Sequence, residues 1–379
     1  VRAAARLAGW AAVAGLAVVL CGCAALPAAG EFHGLAVSGG AAEGAGIAAV
    51  VDDRARFGEV FCALAARAGP AEGSIVSCDR WLWRGSDEQS AEPRLASTPG
   101  PLAAVLASGG RAPPQAPQLV IVTGAFSDCF GDEGLPFNDA VPDLVRRGYR
   151  IDTLQVSGRS SAAANAAQLA QALEPRLLTG GAPVVLLGYS KGMTDILELV
   201  ASRPDLAVRV AAVISVAGAV MGSPLAEGAR GWYDRLGAHA LPARCAPGDG
   251  GVVDSLEPGL RRARLAAHPM PRGLPVYSVA ALPQGDRIAR ALRPEWRHLA
   301  RTDRRNDGQL RLGDALLPGS SLVALVNADH WGVALRIERA LPNLAARHDR
   351  RPFPQETLLE ALMVFVAERA AVAVPPAGE

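Results

Sequence analysis

Lysine is nearly missing from this chain. Of 38 basic residues in 379, Lys191 alone is a lysine and the rest are arginines. Excess charge is missing too. The 38 basic residues face 37 acidic ones, which leaves no electrostatic footprint for a nucleic acid and no polybasic patch for an anionic membrane. No His, Cys and Asp positions fall at the spacing of a metal site, so neither a metal nor an organic cofactor is implied. There is no internal repeat. Long apolar runs are scarce: Leu7 to Leu20 holds 14 apolar or small residues, too few to cross a bilayer.

What is present begins with that run. Arg2 and Arg6 precede it as a short basic region, which is the layout of a secretory signal. It ends in Leu20-Cys21-Gly22-Cys23-Ala24, which is similar to the bacterial lipobox, Leu-x-Gly-Cys. That similarity implies export, with Cys23 lipidated as the first mature residue and the protein anchored on the periplasmic or outer-membrane side. A plain secretory signal cut near Ala29 is the alternative. Residues 1–22 then form the signal, and residues 23–48, rich in Ala and Gly without period, form a tether. In an oxidising compartment Cys62, Cys78, Cys129 and Cys245 are disulfide candidates, with three possible pairings. Cys62–Cys78 is the local choice, closing a loop of about 15 residues for about 3 kcal/mol on a chain-entropy basis. Cys129–Cys245 then follows by elimination.

Half of the residues are apolar, enough for a sizeable core in one large α/β domain or two modest ones. Phe57, Val60, Phe61 and Leu64 stand at helical spacing, with Asp52 and Asp53 placed as N-caps. Residues 70–116 contain Trp81, Trp83 and many Pro and Gly, and read as irregular structure that packs this helix on the main domain. Residues 49–116 are therefore an N-terminal extension. From about 117 to 372 the pattern is regular. Six strands are expected: Leu119 to Val122, Tyr149 to Val156, Val184 to Leu187, Val208 to Val216, Val276 to Leu282 and Leu322 to Val326. Helices are expected over Ser160 to Leu173 and Glu356 to Ala370. Continuous apolar strands alternating with helices predict a mostly parallel sheet covered on both faces. Residues 222–273, rich in Arg, Gly and Pro, interrupt the rhythm after the fourth strand, where strands deliver their C-terminal ends. They read as a lid.

The chemistry centres on Gly188-Tyr189-Ser190-Lys191-Gly192. A Gly-x-Ser-x-Gly pentapeptide between a strand and a helix is a nucleophile elbow; the glycines let strand and helix approach closely around a strained serine. A serine hydroxyl needs a base, and the base an orienting acid. His330, in Asn327-Ala328-Asp329-His330-Trp331-Gly332 just beyond the last strand, can reach across the strand tips. His33 lies in the tether, His239 and His268 in the lid, and His298 and His348 in arginine-rich, solvated stretches. The acid should precede His330. Asp307 in the tight turn Asn306-Asp307-Gly308 is favoured over Asp286, Asp303 and Asp314. Asp329 adjoins the base and reads as a loop residue. Two backbone N–H groups should form an oxyanion hole: one from Lys191, the other from Ala125, with Phe126 second. Lys191 then serves through its main chain; a Ser-Lys dyad is disfavoured because adjacent side chains in an elbow diverge.

These residues resemble secreted bacterial lipases and esterases of the α/β-hydrolase superfamily. The similarity spans about residues 117–372. Val122-Thr123-Gly124-Ala125 stands where those lipases carry Val-His-Gly-x, with Thr123 in place of the histidine. The elbow matches, as does the Asn306-Asp307-Gly308 acid turn. Ser215 to Ala226 resembles a further lipase segment, without its Pro-His pair and with Glu227 in place of Asp. The resemblance implies a carboxylic ester hydrolase that acts on ester or lipid-like substrates through an acyl-enzyme. Acyl transfer or thioester hydrolysis on the same residues, or a silent hydrolase-like lipoprotein that binds an envelope partner, are the alternatives.

Overall fold

The computed structural model describes residues 50–68, 78–83, 100–114, 116–179, 181–229 and 246–373. Cys23, the signal and the tether lie outside them, as do Cys245 and residues 230–245 of the expected lid. Seven parallel strands form one sheet: β1 (Val51–Asp52), β2 (Gln118–Val122), β3 (Arg150–Leu154), β4 (Val184–Tyr189), β5 (Val210–Val216), β6 (Val276–Ala281) and β7 (Ser321–Val326). Their spatial order is β1-β7-β6-β5-β4-β2-β3. Six of them match the expected strands. The seventh, β1, is a two-residue edge beside β7. Two residues carry no period, so no pattern in the sequence could announce them.

Helices of seven residues or more are numbered in chain order: α1 (Arg54–Arg67), α2 (Pro101–Ala107), α3 (Ala140–Arg146), α4 (Ala162–Leu178), α5 (Lys191–Ser202), α6 (Pro258–Ala267), α7 (Arg293–Leu299) and α8 (Gln355–Ala373). Successive strand residues point to opposite faces, and the core divides accordingly. Leu119, Ile121, Val185, Leu187 and Ile214 pack with α1, α3 and α8 on one face. Val120, Val122, Leu186 and Val213 pack with α4 and α5 on the other. Both faces are covered, which is why the central strands are apolar at nearly every position rather than at alternate ones.

The N-terminal extension is built into this core. Phe57, Val60, Phe61 and Leu64 of α1 are buried, and Phe57 meets Phe365 of α8 edge-on with ring centroids 5.8 Å apart. Glu360 of α8 is paired with Arg67 of α1 and with Arg147 just beyond α3, at 2.6 and 2.9 Å. Two local expectations need correction. Asp52 belongs to β1 and turns its carboxylate to the Arg54 backbone and guanidinium, while Asp53 at the helix start makes no side-chain cap. Within the supposedly irregular 70–116 stretch, α2 forms with Pro101 in its first turn and Leu102 and Val105 buried. Proline suits a first helical turn because it lacks the N–H that would go unbonded there.

Cys62 of α1 is disulfide-bonded to Cys78, with their Cα atoms 5.4 Å apart. Cys129 is also disulfide-bonded; its expected partner, Cys245, lies outside the described residues. The Cys62–Cys78 link carries the chain to residues 78–83, which clasp the end of β7. Leu82 bridges Val326 antiparallel, Asn327 N–H donates to Trp81 O at 2.8 Å, and Trp83 N–H donates to Leu325 O at 2.9 Å.

Candidate active site

The chain lays β3 outside β2, then returns to place β4 on β2's other side and builds β5, β6 and β7 away from it. The carboxyl ends of β2 and β4 therefore flank the point where strand order reverses, the usual ligand crevice of an open α/β sheet. Gly124 follows β2 there, and Ser190 follows β4.

Ser190 sits at φ 54° and ψ −124°, a left-handed conformation that costs a non-glycine residue about 1–3 kcal/mol. The surroundings hold it there. Ser190 N–H donates to Val216 O at 3.2 Å, and Ser190 O accepts from Met193 and Ala219 N–H at 3.1 and 3.0 Å. The flanking glycines are sterically required. A Cβ at Gly188 would lie 2.5 Å from Met193 Cα, and one at Gly192 would lie 2.4 Å from Val122 O.

His330 follows β7, and its Nε2 lies 2.9 Å from Ser190 Oγ. Its Nδ1 lies 2.7 Å from Asp307 Oδ2. His330 and Asp307 are almost completely buried, whereas Ser190 is partly exposed. The other Asp307 oxygen accepts the N–H groups of Gln309 and Leu310 at 2.8 and 2.7 Å. His330 N–H donates to Asp307 O at 3.0 Å. The 306–308 turn is secured by Asn306, whose Nδ2 donates to Trp296 O at 3.3 Å, and by Gly308 at φ +93°. The sequence rivals for the acid are committed elsewhere: Asp303 to Arg305 and Asp314 to Arg311. Of the other described histidines, His298 and His348 are exposed and His268 is half-buried; none is hydrogen-bonded to Ser190.

Several supports were not foreseen. Tyr189 Oη donates to His330 O at 2.8 Å. Burial, with the charges of Asp307 and Asp329 adding to it, holds the Tyr189 phenol well above its ordinary pKa, so it stays a donor. Asp329 points away from Ser190 to Arg347 at 2.8 Å and also accepts from Ala289 N–H and Gly332 N–H. Burial disfavours the Arg347 cation, but Asp329 more than offsets this and raises its pKa. No periodicity flags such partners, because they lie far apart in the chain.

Lys191 directly follows Ser190, and Ala125 directly follows Gly124, where an added Cβ would lie 3.1 Å from Ser190 Cβ; the Ala125 and Lys191 N–H groups make no hydrogen bond among the described residues. Phe126, the second choice, spends its N–H on Gly158 O at 3.1 Å. Thr123, standing where the resembling lipases have histidine, accepts Val156 N–H at 3.3 Å and so ties β2 to the chain beyond β3. Among the described residues no group of three His, Cys, Asp or Glu side chains could hold a metal ion, and no helix is long and apolar enough to cross a membrane.

A parallel sheet with a strained serine elbow after its central strand, and an acid and a histidine after later strands, defines the α/β-hydrolase class. No family profile and no curated protein matches the chain. Among solved structures it is similar to the metagenomic carboxyl esterase MGS0156, at 34% identity over 88% of this chain and 97% of that one, with a TM-score of 0.74. The chain belongs to this carboxyl esterase family and is an esterase- or lipase-like hydrolase. Weaker similarities that carry no part of the assignment include the Bacillus licheniformis lipase BlEst2, at 24% identity over 57% of this chain and 86% of that one with a TM-score of 0.46. Another is the phospholipase PlaB of Legionella pneumophila, at 15% identity over 52% and 45% with a TM-score of 0.38.

Proposed function

We propose that this protein is a serine carboxylic ester hydrolase, exported and held at the membrane by a lipid on Cys23. The observation that carries the reading is the continuous relay from Ser190 Oγ to His330 Nε2, at 2.9 Å, and from His330 Nδ1 to Asp307 Oδ2, at 2.7 Å. Asp307 accepts a hydrogen bond from Nδ1–H, which keeps the ring proton there, so the neutral ring presents a bare Nε2 to the serine. As Ser190 Oγ attacks the ester carbonyl, His330 Nε2 takes its proton, and Asp307 stabilises the imidazolium. The developing oxyanion accepts hydrogen bonds from Ala125 and Lys191 N–H. Collapse expels the alcohol, which receives the proton from His330, and leaves an acyl group on Ser190. Water then attacks the acyl-enzyme by the same steps in reverse order, with His330 again the base.

The test is Ser190→Ala, assayed with a short acyl ester and a fluorophosphonate probe. Wild type should hydrolyse the ester and take the label, and Ser190→Ala should do neither. Retained hydrolysis in the variant would refute the assignment, and an unlabelled, inactive wild type would mark a silent binding protein. Adding an alcohol acceptor separates hydrolysis from acyl transfer, since a transferase would return a new ester. The anchor has its own test: Cys23→Ser should move the protein from the membrane to the soluble exported fraction.

A further inference from the structure

The single lysine has a second role to account for. Its backbone N–H serves as an oxyanion donor in the mechanism above, but its side chain is not turned to solvent. Lys191 is fully buried, and its Nζ donates to Asp195 Oδ1 one helical turn along α5, at 2.5 Å. Asp195, equally buried, accepts from Asn165 Nδ2 of α4 on its other oxygen at 2.9 Å. Asn165 Nδ2 also donates to Ser157 O at 3.0 Å, in the loop after β3. The next residue of that loop, Gly158, accepts Phe126 N–H through its carbonyl at 3.1 Å. Phe126 is the neighbour of Ala125, the other oxyanion donor.

A chain of hydrogen bonds thus begins on the residue that supplies one donor and ends beside the residue that supplies the other. Packing does not account for it. A buried ion pair is often no more stabilising than well-packed apolar side chains of the same volume. Asn165 sits here although its Oδ1 is buried with no hydrogen-bond partner, which is a standing cost. Phe126 is held at φ 60°, so the β2 turn is also in a left-handed conformation that needs outside support.

We infer that Lys191 Nζ, Asp195 and Asn165 form a positioning network that sets the distance between the Ala125 and Lys191 N–H groups and so tunes the oxyanion hole. The inference rests on the serine hydrolase reading. None of the three side chains touches the reacting atoms; they act through the two backbone segments. The network matters most when charge develops on the carbonyl oxygen, because small displacements of fixed dipoles cost most at that moment.

The experiment compares wild type with Asn165→Leu and with Lys191→Met/Asp195→Leu. The double variant removes both charges together, so no uncompensated carboxylate is left buried. Activity is expressed per active site, counted by fluorophosphonate titration, and a boronic acid serves as the tetrahedral analogue. Both variants should fold and titrate with the probe. Their kcat should fall roughly 10- to 100-fold with KM little changed, part of the roughly 10²- to 10³-fold cost of deleting a whole oxyanion donor. Affinity for the boronic acid should weaken by the same factor as kcat/KM. A merely structural role would lower the number of titratable sites and the melting temperature while leaving kcat per site and boronate affinity intact, and that result overturns the inference. Full hydrolysis by Ser190→Ala would instead overturn the underlying reading, so the two failures are distinguishable.

Discussion

Replacing Asp307 by Asn changes where a single proton sits. One Asp307 oxygen accepts two backbone N–H groups, from Gln309 and Leu310, at 2.8 and 2.7 Å, and the other faces His330 Nδ1 at 2.7 Å. An amide placed in this seat must keep its oxygen toward the two N–H donors, because the reverse orientation sets NH2 against both. Its NH2 then points at His330 Nδ1, which becomes an acceptor. The ring proton moves to Nε2, where it faces Ser190 Oγ and blocks acceptance of the serine proton. A wrong-tautomer histidine of this kind costs about 10⁴-fold in kcat, or about 5.4 kcal/mol of barrier. The two backbone hydrogen bonds survive, so stability should change by only about 1 kcal/mol, the worth of one hydrogen bond. Hydrolysis of a short-chain chromogenic ester would show the loss in kcat, with KM nearly constant, and a thermal melt would show the intact fold. Asp303→Asn is the control: that carboxylate serves Arg305, and its loss should leave kcat near wild type. The reasoning fails if Asp307→Asn keeps kcat within about tenfold of wild type, or if Asp303→Asn or Asp314→Asn loses as much.

Four further outcomes can be checked. Gly188→Ala drives a Cβ to 2.5 Å from Met193 Cα and N, so α5 must move at an overpacking cost of about 1–3 kcal/mol, with kcat falling as Ser190 shifts; Gly58→Ala, with nothing within 4 Å of the new methyl, should instead stabilise α1 by about 1 kcal/mol in denaturant melts. Removing the Cys62–Cys78 link as the double serine variant should cost about 3 kcal/mol, read as a melting temperature below that of wild type, a gap that closes when both proteins are measured under reductant. Burial pushes the Asp349 carboxyl up, but the Arg351 N–H, Arg80 and the Arg287 charge more than offset this and hold it below its ordinary 3.8. The stability gained from a depressed carboxyl is complete above the unfolded value and is lost as pH falls through the folded one, so the melting-temperature gap between wild type and Asp349→Asn should be full at pH 6 and close below about pH 4.

The elements with a repeating pattern were readable in advance. The central strands appear in the sequence as apolar runs because helices cover both faces, and α1, α4 and α8 appear through their spacing. Ser190 was readable because its strained turn demands glycine on both sides, and that demand is local. Elements without a period were not: β1 is two residues long, and α2 is a short helix opened by a proline. Lys191 and Asp195 stand at i and i+4, a spacing that usually marks an exposed pair on a helix; nothing in the spacing says that α4 and the loop after β3 cover them.

The order Ser190, Asp307, His330 and the turns that carry them are properties of the chain, because each depends on neighbours only a few residues away. Which acid reaches the histidine is a tertiary matter. Asp303 and Asp314 are claimed by arginines two and three residues away, Arg305 and Arg311, but only the fold brings Asp307 to His330, 23 residues on, at 2.7 Å. The same holds for the oxyanion turn, where Gly158, brought alongside by the pairing of β2 with β3, takes the Phe126 N–H, while the Ala125 N–H has no partner among the described residues. Hydrogen-bond partners are allotted by proximity in space, and separation along the chain does not encode that proximity.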